Sequence, residues 1–239
     1  QYRWSASNAD LIRQHGEELV ALAPDVILAN GTPAVVALKK ITSSIPVVCA
    51  LVQDPVGLGL VKTLARPGGN ITGFTFVNPE LIGKWIGLLR DVVPGVARAA
   101  LMFNPRTTPF FYGFLREIEA TGRPAGIELT ALPVATPDEI DAAVAVLGKR
   151  PGSSLIIPPD PFNVTHIKRI AQLTVQARLP AVSVYRPFAV EGGLMTYGQD
   201  SPDIFRRSAA YVDRILRGTN PAELPVQQPT KFQFIANLK

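Results

Sequence analysis

Four short polar segments have the residue types needed to bind a small charged molecule. Each directly follows an apolar run, and the segments are Asn30–Ala34, Gln53–Pro55, Asn104–Pro105 and Asp160–Pro161. Their amide, hydroxyl and carboxylate groups can donate and accept hydrogen bonds. Continuous apolar runs of this length are typical of strands buried in a parallel sheet, whose carboxyl ends share one edge where ligands bind. The spacing therefore predicts one polar site at that edge.

The segment Gly31–Ala34 has the clearest chemistry of the four. Thr32 and Pro33 are typical of an N-cap followed by the first residue of a helix. A helix N-terminus carries free N–H groups and about half a positive charge, which suits a carboxylate. We therefore expect the N–H groups of Thr32 and Ala34, together with the Thr32 hydroxyl, to bind a carboxylate. The alternative is that Thr32 only caps its helix.

Polar residues after the other three strands could complete the site. Gln53 and Asp54 end the second strand, and Asp54 could bind an ammonium or hydroxyl group of a ligand or could cap the next helix. Asn104 and Asp160 each precede a proline. They could therefore contact the ligand, or they could form ordinary Asx-Pro turns.

Motifs for catalysis and for metal binding do not occur in the sequence. His15, Cys49 and His166 are too far apart for a zinc-binding spacing. The sequence has no GxSxG nucleophile elbow, no Walker loop and no GxGxxG motif after a strand. It therefore predicts no catalytic residue, no metal and no cofactor. An enzyme whose catalytic groups are distant in sequence stays an alternative.

Composition is that of a globular protein without a nucleic-acid-binding segment. Apolar residues make up 47% of the 239 residues and charged residues 18%. The net charge is +5, but Lys and Arg are scattered, which predicts that the protein does not bind nucleic acid. Apolar runs are shorter than the roughly 18 residues needed to span a bilayer. The one cysteine, Cys49, lies in an apolar run and is expected to be a buried thiol.

The elements that must position these residues alternate between strand and helix. The pattern occurs over 25–40, 45–64, 97–115 and 153–170. It predicts helices over 59–65 and 163–178, and residues 1–4 could be the tail of an edge strand. Such alternation predicts an α/β fold of doubly wound parallel sheets. The sequence suggests about nine strands, and a single small sheet rarely holds so many, so we expect two sheets.

The segments without either periodicity predict how the chain divides into two lobes. Lobe one is expected to hold 1–75 and 192–225, and lobe two 78–187. The crossings between them are expected near 74–79, 185–193 and 220–229, with 230–239 as a final strand near the hinge.

Hydroxyl side chains close to the predicted crossings extend the candidate set. Thr72 and Thr75 lie just before the first crossing, and Tyr185 and Tyr197 flank the second. A phenol can stack on a flat ligand and donate a hydrogen bond, although packing in the core or hinge is the alternative. The predicted ligand-binding residues are therefore Asn30, Gly31, Thr32, Ala34, Gln53, Asp54, Thr72, Thr75, Asn104, Asp160, Tyr185 and Tyr197.

Three long stretches resemble the ABC-transporter substrate-binding proteins of the TrpX-like family. They are 54–75, beginning DPVGLGLVKTLARPGG, 155–200, beginning LIIPPDPFNVTHIKRI, and 211–239, beginning YVDRILRGTNPAELPV. The resemblance implies the type I periplasmic binding fold, with two α/β lobes around a hinge. It also implies a receptor that captures a small, carboxylate-bearing and amino-acid-like molecule by hinge closure and delivers it to an ABC permease in the membrane. Such a receptor would be periplasmic, or lipid-anchored outside the cytoplasmic membrane.

The sequence also departs from that family's pattern. Relatives have a leader and a first strand–helix unit before the part that begins here at Gln1, and they continue past the final NLK. We therefore expect a gap in the sheet of lobe one, where the first strand would lie centrally. Two alternative functions remain open, the effector-binding domain of a transcription regulator and a doubly wound small-molecule enzyme.

Overall fold

Strands and helices alternate along the chain in the computed structural model, which describes residues 1–5, 8–76, 79–121 and 126–238. The strands are β1 (Ile27–Asn30), β2 (Val47–Val52), β3 (Ile71–Thr75), β4 (Arg98–Phe103), β5 (Glu128–Pro133), β6 (Ser153–Ile157), β7 (Ala181–Ser183), β8 (Met195–Gln199) and β9 (Phe232–Ala236). The helices are α1 (Ala9–Ala21), α2 (Thr32–Ile41), α3 (Pro79–Val92), α4 (Phe111–Thr121), α5 (Pro137–Gly148), α6 (Pro161–Thr165), α7 (Ile167–Gln176), α8 (Arg186–Val190) and α9 (Ser201–Leu216), with a short 3-10 helix over Pro221–Glu223. Part of the crossing predicted over 74–79, residues 77–78, lies outside the described residues.

The strands form two sheets, as the strand count predicted. One sheet has the order β1-β2-β3 and the other the order β5-β4-β6-β7-β8-β9. Neighbouring strands from β1 to β3 and from β4 to β8 pair in parallel. Strand β9 runs opposite to β8, because one backbone hydrogen bond joins Asp200 to Lys231 and another joins Asn237 to Leu194. The α/β fold class is confirmed.

The three-stranded sheet is covered by helices on both faces. Val47 and Cys49 of β2 pack with α2, whereas Val48 and Ala50, which alternate with them, pack with α9. Strand β3 is buried at every position. A strand that is buried on both faces is mostly apolar, as β2 is, and this explains the continuous apolar runs in the sequence. In the six-stranded sheet, α5 and α7 pack on β4 and β6.

The chain divides into two compact units, residues 1–78 with 199–232 and residues 79–198 with 233–239. The division differs from the expected lobes at the second crossing. Residues 192–198, expected in lobe one, belong to the second unit because β8 pairs with β7. Strand β9 is the edge strand of the six-stranded sheet, and its place near a hinge stays a prediction.

Three local predictions were wrong. Residues 59–65 form a turn and bends instead of a helix, because Pro55, Gly57 and Gly59 interrupt the segment after β2 and Gly59 has a φ of +63°. The helix predicted over 163–178 is two helices that meet at His166. Residues 1–4, expected to be the tail of an edge strand, have no regular structure.

Candidate functional site

The carboxyl edge of the three-stranded sheet carries the start of α2. Gly31 is the N-cap residue, with a φ of +83° that favours glycine, and no side chain caps the helix. Thr32 is therefore the first residue of the helix, and its assignment as the N-cap was wrong. The first turn of a helix leaves its N–H groups without acceptors inside the helix. Thr32 and Ala34 carry two such groups, next to the exposed Asn30.

The hydroxyl of Thr32 is committed to Gln53. Thr32 Oγ1 donates to Gln53 Oε1 at 3.0 Å and accepts from the Gln53 N–H at 3.0 Å. Both residues are buried, at 6% and 4% exposure. The structure thus brings these two predicted residues together, but as partners of each other. The Thr32 hydroxyl was expected to bind a carboxylate, whereas here it holds the end of β2 against the start of α2.

The turn after β2 is shaped by Asp54. Asp54 has a φ of +40°, and its Oδ1 accepts a hydrogen bond from the Gly57 N–H at 2.8 Å. It therefore closes a turn and does not cap a helix. Leu51 also has a positive φ, of +60°, where the register of β2 against β3 shifts. Asp54 is exposed at the sheet edge, next to Gln53.

Thr72 and Thr75 bond to the returning chain segment. The Thr72 hydroxyl donates to the Leu224 carbonyl oxygen at 2.6 Å, and that of Thr75 donates to the Gln227 carbonyl oxygen at 3.4 Å. Thr72 has no exposed surface. Both hydroxyls hold β3 to the segment that follows α9, and this gives them a structural role within the first unit.

Asp160 is the centre of a hydrogen-bond network at the carboxyl edge of the six-stranded sheet. Its side chain is fully buried and accepts four hydrogen bonds of 2.6 to 2.8 Å. The donors are the backbone N–H groups of Asn104 and Phe162 and the hydroxyls of Thr107 and Thr108. Because each carboxylate oxygen accepts two of these bonds, Asp160 joins the loop after β4 to the start of α6. In this network the Asp160 carboxylate accepts its hydrogen bonds from the protein itself and not from a ligand.

Asn104 and Tyr185 belong to the same network. The Asn104 side chain accepts a hydrogen bond from the Arg106 N–H, as in an Asx turn. The Tyr185 hydroxyl accepts a hydrogen bond from the Asp160 N–H at 3.0 Å. Burial raises the pKa of Tyr185 well above its usual range, and the nearby Asp160 charge adds to the shift. The phenol is therefore neutral at physiological pH. The structure brings together Asn104 and Asp160, which were predicted from strand ends, and Tyr185, which was predicted from its place near a crossing.

Tyr197 lies on β8 and is half-buried. Its backbone carbonyl accepts a 2.7 Å hydrogen bond from the indole N–H of Trp85, which fixes α3 to the sheet. The prediction missed three residues at this edge: Thr107 and Thr108, which bond to Asp160, and Gln199, which ends β8. Gln199 ends β8 and Gln53 directly follows β2, so the strand-end argument could have identified Gln199 as well.

Clusters that could hold a metal and helices that could cross a membrane are absent from the part of the chain that the structure describes. No cluster of three or more His, Cys, Asp or Glu side chains there could hold a metal ion. None of the helices described has the length and apolar character needed to cross a membrane.

Comparisons with known proteins agree with this architecture. A structure of a conserved domain protein from Vibrio cholerae O1 biovar El Tor has a TM-score of 0.86 and 25% identity, and the match covers 96% of this chain and 76% of that one. The structure of the ABC domain in complex with L-Trp from Streptococcus pneumonia has a TM-score of 0.85 and 23% identity, over 96% and 78% of the two chains, and thus the same fold.

Sequence comparison points to the same group of proteins. The tyrosine-binding protein of Clostridioides difficile (strain R20291) is 23% identical over 214 residues, which are 89% of this chain. The chain spans 61% of the length of that curated relative. The family model described as ABC transporter substrate binding protein matches residues 1–239. Members of this family are receptors for substrates, and the resemblance seen in the sequence is confirmed. The chain therefore belongs to the family of ABC transporter substrate binding proteins.

Proposed function

We propose that this protein is the solute receptor of an ABC importer and binds a small, amino-acid-like molecule with a carboxylate. The family match over the whole chain is the observation that supports this function. It favours a receptor over an enzyme or the effector domain of a transcription regulator. The relative named for tyrosine and the similar structure that holds L-Trp support an aromatic amino acid as the ligand. The partner would be an ABC permease, and the protein would act in the periplasm or anchored outside the cytoplasmic membrane.

The first turn of α2 is the proposed carboxylate site. The Gly31 conformation leaves the turn without a side-chain cap, and the Thr32 hydroxyl is directed to Gln53. The backbone N–H groups of Thr32 and Ala34 are therefore the donors that we assign to the carboxylate, with the positive end of the helix dipole behind them. Asn30 and Asp54 are exposed beside this turn, and Asp54 could pair with the ligand ammonium.

A charge substitution in this turn tests the proposal. Ala34→Glu puts a carboxylate in the first turn of α2, where it should repel the carboxylate of the ligand; Ala34 also packs against the core, so the bulk of the new side chain needs its own control. We expect L-tyrosine and L-tryptophan to raise the melting temperature of the wild type and to have no effect on Ala34→Glu. Ala34→Gln is the control for bulk, since glutamine has about the size of glutamate without its charge. Ala9→Glu is the control for charge, since it places the same charge in the first turn of α1.

Several outcomes would contradict the proposal. If none of the 20 common amino acids stabilises the wild type at millimolar concentration, the ligand class is wrong. If Ala34→Glu binds as tightly as Ala9→Glu, the carboxylate does not bind at α2. Hinge closure, which the family resemblance implies, stays a prediction. Small-angle X-ray scattering tests it, and an unchanged radius of gyration in saturating ligand would contradict it.

A further inference from the structure

Gln199 has a buried amide whose polar atoms lack partners. It is the last residue of β8 and is 6% exposed. Across residues 1–5, 8–76, 79–121 and 126–238, neither its Oε1 nor its Nε2 has a hydrogen-bond partner. Folding removes such a group from water without replacing its hydrogen bonds, so it destabilises the protein. A residue of this kind indicates a partner that is not part of the chain.

The place of Gln199 in the sheet indicates where that partner binds. Strands β7 and β8 are parallel neighbours, and a Cβ added to Gly198 would lie 2.6 Å from the Val184 carbonyl oxygen. The end of β8 thus lies against the end of β7. Tyr185 comes next in the chain, and its hydroxyl bonds to Asp160. Gln199 therefore ends β8 at the carboxyl edge of the six-stranded sheet.

Two other buried polar residues with an unpartnered atom differ from Gln199. Asn163 still donates two hydrogen bonds through Nδ2, to the carbonyl oxygens of Met102 and Pro158. Ser153 is the first residue of β6 and lies at the amino edge of the sheet, opposite to the polar network. Within the described residues, Gln199 alone combines a wholly unpartnered amide with a place at the carboxyl edge.

We infer that Gln199 is a specificity-determining residue that hydrogen-bonds a polar side-chain group of the ligand. An amide with one donor group and one acceptor atom suits a group that can both accept and donate, and the candidates in an amino-acid-like ligand are a hydroxyl and a carboxamide. A site built for such a group rejects the analogue that lacks it, because the buried amide is then left unpaired. This inference rests on the proposed function and names the chemistry that selects the ligand.

The first test measures the stability of the protein without ligand. Gln199→Leu keeps the approximate volume and removes the unpartnered amide, so we expect the melting temperature to rise by at least about 2 °C. The control is Gln227→Leu, because Gln227 accepts a hydrogen bond from Arg207 and the same change there should lower the melting temperature. A melting temperature of Gln199→Leu at or below that of the wild type would overturn the inference, since it would show that the amide already has partners.

The second test measures selectivity by calorimetry with two matched pairs of probes, L-tyrosine with L-phenylalanine and L-glutamine with L-methionine. We expect the wild type to prefer the polar member of one pair by at least about tenfold, and Gln199→Leu to lose that preference. The tyrosine pair reports a hydroxyl, and the glutamine pair reports a carboxamide. A preference that survives in Gln199→Leu, or binding of both pairs without preference in the wild type, would overturn the inference. If the wild type binds none of the four, the proposed ligand class fails, and the stability test still decides whether the amide is unpartnered.

Discussion

The Thr32 hydroxyl and Gln53 satisfy each other across 21 residues of sequence. The hydroxyl donates to Gln53 Oε1 and accepts from the Gln53 N–H, and both distances are 3.0 Å. The pair joins the first turn of α2 to the end of β2, so the two polar strand ends of the first sheet form one corner. The proposed carboxylate site consists of backbone N–H groups at that corner. The Thr32 hydroxyl holds this backbone in place and is not itself a donor to the ligand.

The first prediction concerns this pair. Thr32→Val keeps the shape of the side chain but removes the acceptor of the Gln53 N–H and the donor to Gln53 Oε1. We expect the free energy of unfolding to fall by about 1–3 kcal/mol, because buried polar groups lose their hydrogen bonds. Urea unfolding of the ligand-free protein measures this change. Thr32→Ser retains the hydroxyl and should lose less than half as much.

A different result would restore the original interpretation of Thr32 as a ligand-binding residue. In that case Thr32→Val would be as stable as the wild type, and its affinity for L-tyrosine would fall while that of Thr32→Ser would not.

The sheets could be predicted from the sequence because their strands are buried on both faces. The run of β2 is apolar at every position, and that of β6 is apolar after its two serines, so a nearly continuous apolar run marks each strand. The segment after β2 could not be predicted in the same way. Its residues at 60, 61 and 64 pack in the core like those of a helix, but the Asp54 side chain bonds to the Gly57 N–H and closes a turn first. Local side-chain bonding thus overrides apolar spacing.

The second prediction concerns Asp160. Asp160→Asn replaces an acceptor oxygen with a donor that faces hydroxyl and N–H groups. We expect a loss of about 2 kcal/mol or more in the free energy of unfolding, because hydrogen bonds to a buried carboxylate are strong. Urea unfolding followed by circular dichroism measures the loss. Asp54→Asn is the matched control, since an exposed Asx turn accepts its hydrogen bond equally well from an amide oxygen. Equal stability of Asp160→Asn and Asp54→Asn would show that the carboxylate is not needed for folding.

The sequence predicts where the candidate residues lie but not which of them contact a ligand and which bond to the protein. Strand ends indicate where polar groups gather, and Asn104 and Asp160 do gather there. Whether a group faces a ligand or the protein depends on partners that are distant in sequence. Asp160 bonds to residues 52 to 56 positions away, and Thr72 bonds to a carbonyl 152 positions away. No local pattern encodes such distances.

The third prediction concerns pH. Burial raises the pKa of the Cys49 thiol to about 12. In the unfolded chain a thiol ionises near pH 8.5, so above about that pH the unfolded state releases a proton that the folded state keeps. The stabilising effect of the neutral thiol is complete below about pH 8.5 and declines toward pH 12. Between about pH 8.5 and 10 we expect Cys49 to contribute a slope of about −1 kcal/mol per pH unit to the free energy of unfolding.

Cys49→Ala is the control for this slope. It should give a flatter pH dependence over the same range, measured by urea unfolding at several pH values. Because the chain has one cysteine, a thiol reagent such as DTNB should react with the wild type only after unfolding. Fast reaction of the folded protein at pH 8 would show that the thiol is accessible and would contradict the buried position.

The fourth prediction concerns the contact between Gly73 and β2. Gly73 has a φ of +135°, and a Cβ there would lie 2.1 Å from the carbonyl oxygen of Cys49, its partner in the parallel pair. Gly73→Ala therefore requires both a strained backbone and a shift of β3 away from β2. We expect the free energy of unfolding to fall by more than about 3 kcal/mol. A variant that is unfolded at 37 °C would also agree with this prediction. Gly83→Ala in α3 is the control, since no atom lies within 4 Å of the added carbon and alanine stabilises a helix by up to about 1 kcal/mol. If both variants unfold at the same urea concentration as the wild type, β2 and β3 do not approach each other at Gly73 as the structure shows.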